Sequence, residues 1–132
     1  MTNTELCKIA IDELKESYAP YSNFNVAAAL LTNEGKVYTG CNIENASYSA
    51  TVCAERTAIF KAVSEGDRSF KAIAIAGGFK GKIEKECVPC GVCLQVMSEF
   101  CSPDFKIILI NSENSYKEYM LKDFLPISFN LD

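Results

Sequence analysis

Histidine and tryptophan are both absent from the 132 residues. Without histidine, acid–base or metal chemistry has to rest on carboxylates and thiols, since the commonest general base and metal ligand is missing. Long hydrophobic runs are absent too. The longest, Val26 to Leu31, is far short of the roughly 20 apolar residues that span a bilayer. The chain opens with no basic stretch leading into an apolar segment and a small-residue cleavage site, so a cytoplasmic, membrane-free protein is expected. Basic clusters are missing as well: the net charge is −4, and no group of lysines and arginines exceeds two or three residues. That balance argues against DNA or RNA as a partner, because phosphate neutralisation dominates polynucleotide affinity. A small, uncharged ligand fits better.

Cysteine, by contrast, is plentiful. Seven cysteines, an odd number with no secretion signal, argue against a disulfide framework. Cys7, Cys41 and Cys101 read as small buried hydrophobes. The others fall into two motifs, Cys53-Ala54-Glu55 and Pro89-Cys90-Gly91-Val92-Cys93, with Cys87 just ahead of the second. Three thiolates, two of them at C-x-x-C spacing, hold a zinc ion and leave one tetrahedral position open, the mark of a catalytic rather than a structural site. Glu55 lies too near Cys53 in sequence to be a comfortable fourth ligand and is suited to handling the proton of an activated water. This signature resembles that of the zinc-dependent deaminases, which implies hydrolytic deamination of a nucleobase. Two other readings remain at this level. Cys87-x-x-Cys90-x-x-Cys93 resembles part of an iron–sulfur run, though the spacing to Cys101 departs from the ferredoxin pattern. With Cys87 as a fourth thiol, the motif also suits a closed structural zinc module.

The length suits a single domain spanning residues 1–132. Thr2-x-x-Glu5 predicts a capping box opening a helix with Leu6, Ile9, Ala10 and Leu14 on one face, ending before Ala19-Pro20. Phe24 to Leu31 and Val37 to Gly40 predict a hairpin around Asn33-Glu34-Gly35, followed by a polar loop from Asn42 to Tyr48. A second helix is expected from about Thr51 to Glu65, stopped by Gly66. Ala72 to Ala76 predicts a buried strand running into a flexible stretch at Gly77, Gly78 and Gly81. A third helix, with Pro89 in its first turn, continues through Phe100. Lys106 to Ile110, a further strand and a short terminal helix complete the chain. The pattern predicts an α/β fold, a three-layer α/β/α sandwich on a mixed five-stranded sheet. Both cysteine motifs then sit at helix N-termini, where N–H groups and the helix dipole favour thiolates. Arg56, one helical turn after Cys53, can donate to the sulfurs and offset their charge.

Five blocks in order resemble the small homotetrameric cytidine deaminases: Ala19-Pro20-Tyr21-Ser22-x-Phe24, Gly40-Cys41-Asn42-Ile43-Glu44-Asn45-Ala46, Cys53-Ala54-Glu55-Arg56-Thr57-Ala58, Pro89-Cys90-Gly91-x-Cys93 and Leu125-Pro126-x-x-Phe129. The resemblance implies a zinc-dependent conversion of cytidine and deoxycytidine to uridine and deoxyuridine with release of ammonia, a reaction of pyrimidine salvage. It implies one Zn²⁺ per subunit on Cys53, Cys90 and Cys93, with Glu55 as proton shuttle and Arg56 compensating the thiolates. Asn42 and Glu44 would bind the sugar 3′-hydroxyl, Ala54 would offer its N–H to the base carbonyl, and Phe24 would pack on the pyrimidine. Tyr48 and Phe129 would reach a neighbouring subunit's site. Two positions depart from the family pattern: Leu94 stands where arginine is usual, removing a positive charge near the metal, and Ala27 replaces a frequent glycine. The nearest rival is a deaminase of the same fold acting on an antibiotic nucleoside or a modified cytidine.

Overall fold

The computed structural model describes residues 1–131. Helix α1 spans Asn3–Glu13 and opens with the expected reciprocal cap: the Glu5 N–H donates to the Thr2 hydroxyl (3.1 Å), and the Thr2 N–H donates to the Glu5 carboxylate (2.8 Å). Strands β1 (Phe24–Thr32) and β2 (Val37–Cys41) form the hairpin. Helix α2 (Ala54–Ser64), strand β3 (Phe70–Phe79), helix α3 (Gly91–Phe100), strands β4 (Lys106–Ser112) and β5 (Ser115–Met120), and the short helix α4 (Leu121–Phe124) follow.

The five strands make one sheet in the order β2-β1-β3-β4-β5, with β3 and β4 parallel and the remaining pairs antiparallel. Strand periodicity divides the core between two faces. Ala29, Leu31, Ala72, Ala74, Ile108 and Ile110 pack with Leu6, Cys7 and Ala10 of α1. Their neighbours Ala28, Leu30, Ile73, Ile75, Ile107 and Leu109 pack on the opposite side with residues of α2 and α3. A sheet covered on both faces explains why Val26 to Leu31 is apolar without alternation. The three layers and the mixed five-stranded sheet match the expectation.

Three local readings change. Helix α2 starts at Ala54 rather than Thr51, because Val52 is held extended by two hydrogen bonds with Ile43 (both 3.0 Å) and Cys53 caps the helix. Pro89 precedes the cap of α3, which is Cys90, instead of lying in its first turn. Gly77 and Gly78 are buried residues of β3, not a flexible stretch. Their small size is what matters: a Cβ on Gly77 would come within 2.9 Å of the Cys87 side chain, and one on Gly78 would collide with the Lys82 carbonyl. Gly40 has the same role on β2, where any side chain would strike the backbone of Ala54 and Ala58. Its absence of side chain lets the first turn of α2 lie directly against the sheet.

Candidate metal centre and substrate site

Helices α2 and α3 bring their N-termini together, and each begins on a cysteine. Cys53 and Cys90 are the N-cap residues, both extended, and neither side chain caps its own helix. Cys93 sits in the first turn of α3, fully buried. The three sulfurs lie within 4.8 Å of one another, with Cys53 and Cys90 3.8 Å apart. Zn–S bonds of about 2.3 Å at the tetrahedral angle require sulfurs roughly 3.8 Å apart, so soft thiol donors at this spacing fit a zinc ion with its fourth position free. Among the described residues this is the one such cluster, and Cys87 is not part of it. Neither the closed four-thiol site nor the Cys87–Cys90–Cys93 iron–sulfur run is therefore assembled. All seven cysteines are free thiols.

The electrostatics divide these thiols. Hydrogen bonding from Cys93, then from Arg56 and Cys90, pulls Cys53 down to about 5 against the opposing effect of burial. Cys93 is pushed upward by the same bond to Cys53 and by burial. Cys53 is therefore the thiol most readily deprotonated, and metal binding would displace the protons of all three. The Arg56 guanidinium donates to Cys53 Sγ from 3.4 Å, as its place one turn along α2 predicts, while its Nε is buried without a partner. Leu94 is buried in the helix-side core, so no second cation replaces the missing arginine there. Burial pushes the Cys87 thiol up to about 12, as befits an inert wall residue.

Glu55 is a carboxyl group 3% exposed at the second position of α2. Burial, reinforced by the charge of Cys53, raises it to about 7, against the pull of its own backbone N–H and of Arg56. A buried carboxyl without an ion pair is costly in a purely structural role. The Ala54 N–H beside it is one of the first-turn donors that a helix cannot satisfy itself.

The segment after β2 is pinned beside Cys53. The Tyr18 N–H donates to Asn42 O (3.0 Å), the Glu44 N–H to Tyr18 O (2.9 Å), and Ile43 pairs with Val52. The Asn42 amide donates to Phe24 O (2.8 Å), and its oxygen accepts from the Val26 N–H (3.0 Å) and the Ser17 hydroxyl. Asn42 therefore clamps the start of β1 and keeps one amide hydrogen. Glu44 accepts from the N–H groups of Tyr21 (3.0 Å) and Ser22 (3.1 Å) and from the Ser22 hydroxyl, and these bonds hold its carboxyl below the usual range. Glu44 and Tyr48 line a cleft of about 400 Å³ with Tyr21, Ser22, Asn45 and Thr51. Phe24 lines a separate cleft of about 380 Å³ with Gly77, Gly78 and Phe79. Phe129 lies apart from both, beside Gln95 and Glu99 of α3. Within one chain, then, Tyr48 and Phe129 do not meet the cysteine cluster. The Ser17 and Val26 contacts of Asn42 carry no signal in sequence, whereas Tyr21-Ser22 stood inside a resembling block.

Residues 1–109 match the family model described as the cytidine and deoxycytidylate deaminase zinc-binding region. The chain belongs to that deaminase family. A cytidine deaminase of Halalkalibacterium halodurans is 46% identical over 132 residues, covering 100% of this chain and 97% of its own. One from Sporosarcina psychrophila is 47% identical over 116 residues, 88% of this chain and 82% of that relative. The crystal structure of a cytidine deaminase from Burkholderia pseudomallei superposes with a TM-score of 0.90 at 44% identity, covering 98% of this chain and 100% of that one. The deaminase family's zinc-binding region contains the cysteine cluster found here.

Proposed function

We propose that this chain is a cytidine deaminase, a hydrolase that converts cytidine and deoxycytidine to uridine and deoxyuridine with release of ammonia. The observation that carries the reading is a three-thiol cluster at two helix N-termini beside a buried carboxyl, Glu55, raised to about 7. Cytidine deaminases aligned over the full chain support it. Residues 1–132 are read as one catalytic domain.

Cys53, Cys90 and Cys93 would hold a zinc ion, which would supply a water-derived nucleophile near neutral pH. Glu55 takes the proton released as oxygen attacks C4 of the cytosine ring and hands it to N3. It then carries the second proton, from the new C4 hydroxyl, to the exocyclic amine, so that the C4–N bond breaks, the C4 carbonyl forms and ammonia leaves. A carboxyl poised near the working pH both accepts and returns a proton, and burial keeps that proton out of bulk water. Arg56 offsets the thiolate charge. The Ala54 N–H donates to the base carbonyl, Phe24 packs on the ring, and the free Asn42 amide hydrogen and Glu44 bind the sugar hydroxyl. Glu44 also disfavours a phosphate, so cytidine 5′-monophosphate and oligonucleotides are poor substrates in this reading.

A homotetramer supports the same site. Tyr48 is 81% and Phe129 67% exposed, and Ile127 beside it is more open still. The tail is tied to α3 through a hydrogen bond from the Gln95 amide to Phe129 O (3.0 Å) while its apolar side chains face outward. Neighbouring subunits would cover these groups and close the pocket. Among the described residues no helix is long and apolar enough to cross a membrane. A cytoplasmic setting agrees with seven free thiols.

The deciding experiment incubates the purified protein with cytidine, deoxycytidine and cytidine 5′-monophosphate while following ultraviolet absorbance, ammonia and bound zinc. Conversion of both nucleosides with little of the nucleotide is expected, and absence of ammonia from a zinc-loaded protein would refute the reading. Truncation after Pro126 should weaken assembly and activity together. A fully active monomer by light scattering would remove the tetramer.

A further inference from the structure

The segment from Ile83 to Pro89 delivers Cys90 and Cys93 to the metal site, yet little holds it. Among the described residues, none of its backbone groups bonds to another backbone group. Ile83 packs against the α1 side of the core, Cys87 against the α2 and α3 side, and Pro89 is buried. One side-chain hydrogen bond crosses to it. The Tyr119 hydroxyl donates to both oxygens of Glu86, at 2.5 and 3.1 Å. Tyr119 is itself firmly seated: it is paired with Ile107 across β4 and β5, its ring lies against Phe124 (centroids 5.0 Å apart), and Lys117 Nζ sits 5.2 Å above the ring centroid.

We infer that the Tyr119–Glu86 pair is a positioning brace for the zinc loop, fixing to the edge strand the segment that presents Cys90. Glu86 lies four residues before Cys90 and one before Cys87, whose side chain rests against Gly77 of β3. The brace and the Gly77 seat therefore hold the segment from two strands of the sheet. Loss of the brace leaves the ligands intact but lets Cys90 swing away, which shows as faster zinc release before it shows in folding. Neither residue touches the cysteines or Glu55 through a hydrogen bond among the described residues, so the effect passes through the loop. The inference rests on the zinc site proposed above.

A matched control lies near the C-terminal end of α2, where Asp67 bonds to Ala62 and shares no hydrogen bond with the cysteines. There the Tyr38 hydroxyl donates to Asp67, with Lys36 Nζ donating to Tyr38 (2.9 Å). The test measures zinc transfer from the holoenzyme to an excess of chelator for the wild type, Tyr119→Phe, Glu86→Ala, the double variant and Tyr38→Phe, with thermal unfolding of each followed alongside. The two brace variants are expected to release zinc about ten- to a hundredfold faster, the scale of one hydrogen bond to a charged acceptor. The double variant should be no faster than either single one, as two ends of one interaction require. Tyr38→Phe should release zinc at the wild-type rate. Wild-type release rates in both brace variants, or equal acceleration in Tyr38→Phe, would overturn the brace. A wild-type protein that binds no zinc would instead overturn the metal site.

Discussion

Helices α2 and α3 both begin on a cysteine of the metal cluster, but they present it in opposite ways. The first turn of α2 is buried: Ala54 and Glu55 are enclosed, Gly40 lets β2 press against it, and Val52 is fixed to Ile43 just ahead of Cys53. The first turn of α3 is open, with Cys90, Gly91 and Val92 exposed at the end of a segment without backbone hydrogen bonds. Proton transfer depends on the placement of a carboxyl within hydrogen-bond reach, and the carboxyl stands on the enclosed helix. The open turn supplies Cys90 from a surface that solvent reaches, while Cys93 projects from its buried side. The carboxyl proposed for proton transfer thus stands on the more enclosed of the two turns.

The sharpest way to break this contrast is Glu55→Gln. The variant keeps zinc and fold but loses at least about 10²–10⁴ in turnover, the scale of general acid–base catalysis. Near-normal kcat with cytidine would deny α2 its assigned part. Arg56→Gln comes next. Leu94 offers no second cation, and groups that support metal ligands commonly contribute about 10–100-fold in affinity or activity. A chelator competition assay should show loss of that order, and an unchanged zinc affinity would leave the thiolate charge without its compensating group.

A smaller difference separates the two cap cysteines themselves. Cys53→Ala and Cys90→Ala should both lose zinc. In metal-free urea titrations Cys53→Ala should be the less stable by about 1–3 kcal/mol, because it strips the partly buried Arg56 of its partner. Equal midpoints and slopes would mean that the two turns are energetically alike. The smallest effect belongs to Tyr38→Phe, near the far end of α2. The Tyr38 hydroxyl, followed by Lys36, holds the Asp67 carboxyl below its ordinary range against desolvation. A carboxyl lowered in the folded state stabilises above its unfolded pKa, and that contribution is lost as pH falls through the folded value. The variant should therefore melt slightly below the wild type near pH 6. The gap should close once the pH is well below about 3.9, the ordinary aspartate value. A gap that persists in acid would assign the loss to packing rather than charge.

The sequence by itself determined the elements and the donor set. The continuous apolar runs of β1 and β3, the Thr2–Glu5 cap and the stop at Gly66 are local signals, readable because each depends on neighbours a few residues away. The resembling blocks likewise carried Cys53, Cys90, Cys93 and Glu55. Tertiary structure decided what long loops bring together. It gathered Cys53 to Cys90 and left Cys87 outside the cluster, although Cys87 is 3 residues from Cys90 and Cys53 is 37. It turned Gly77 and Gly78 from apparent flexibility into close approach, and it joined Glu86 to Tyr119 across 33 residues. It also buried Glu55, whose shift to about 7 comes mainly from desolvation rather than from any residue beside it in the chain. Desolvation and through-space contact are set by the packing of the whole sheet and its helices, and a linear pattern of residue types does not contain them.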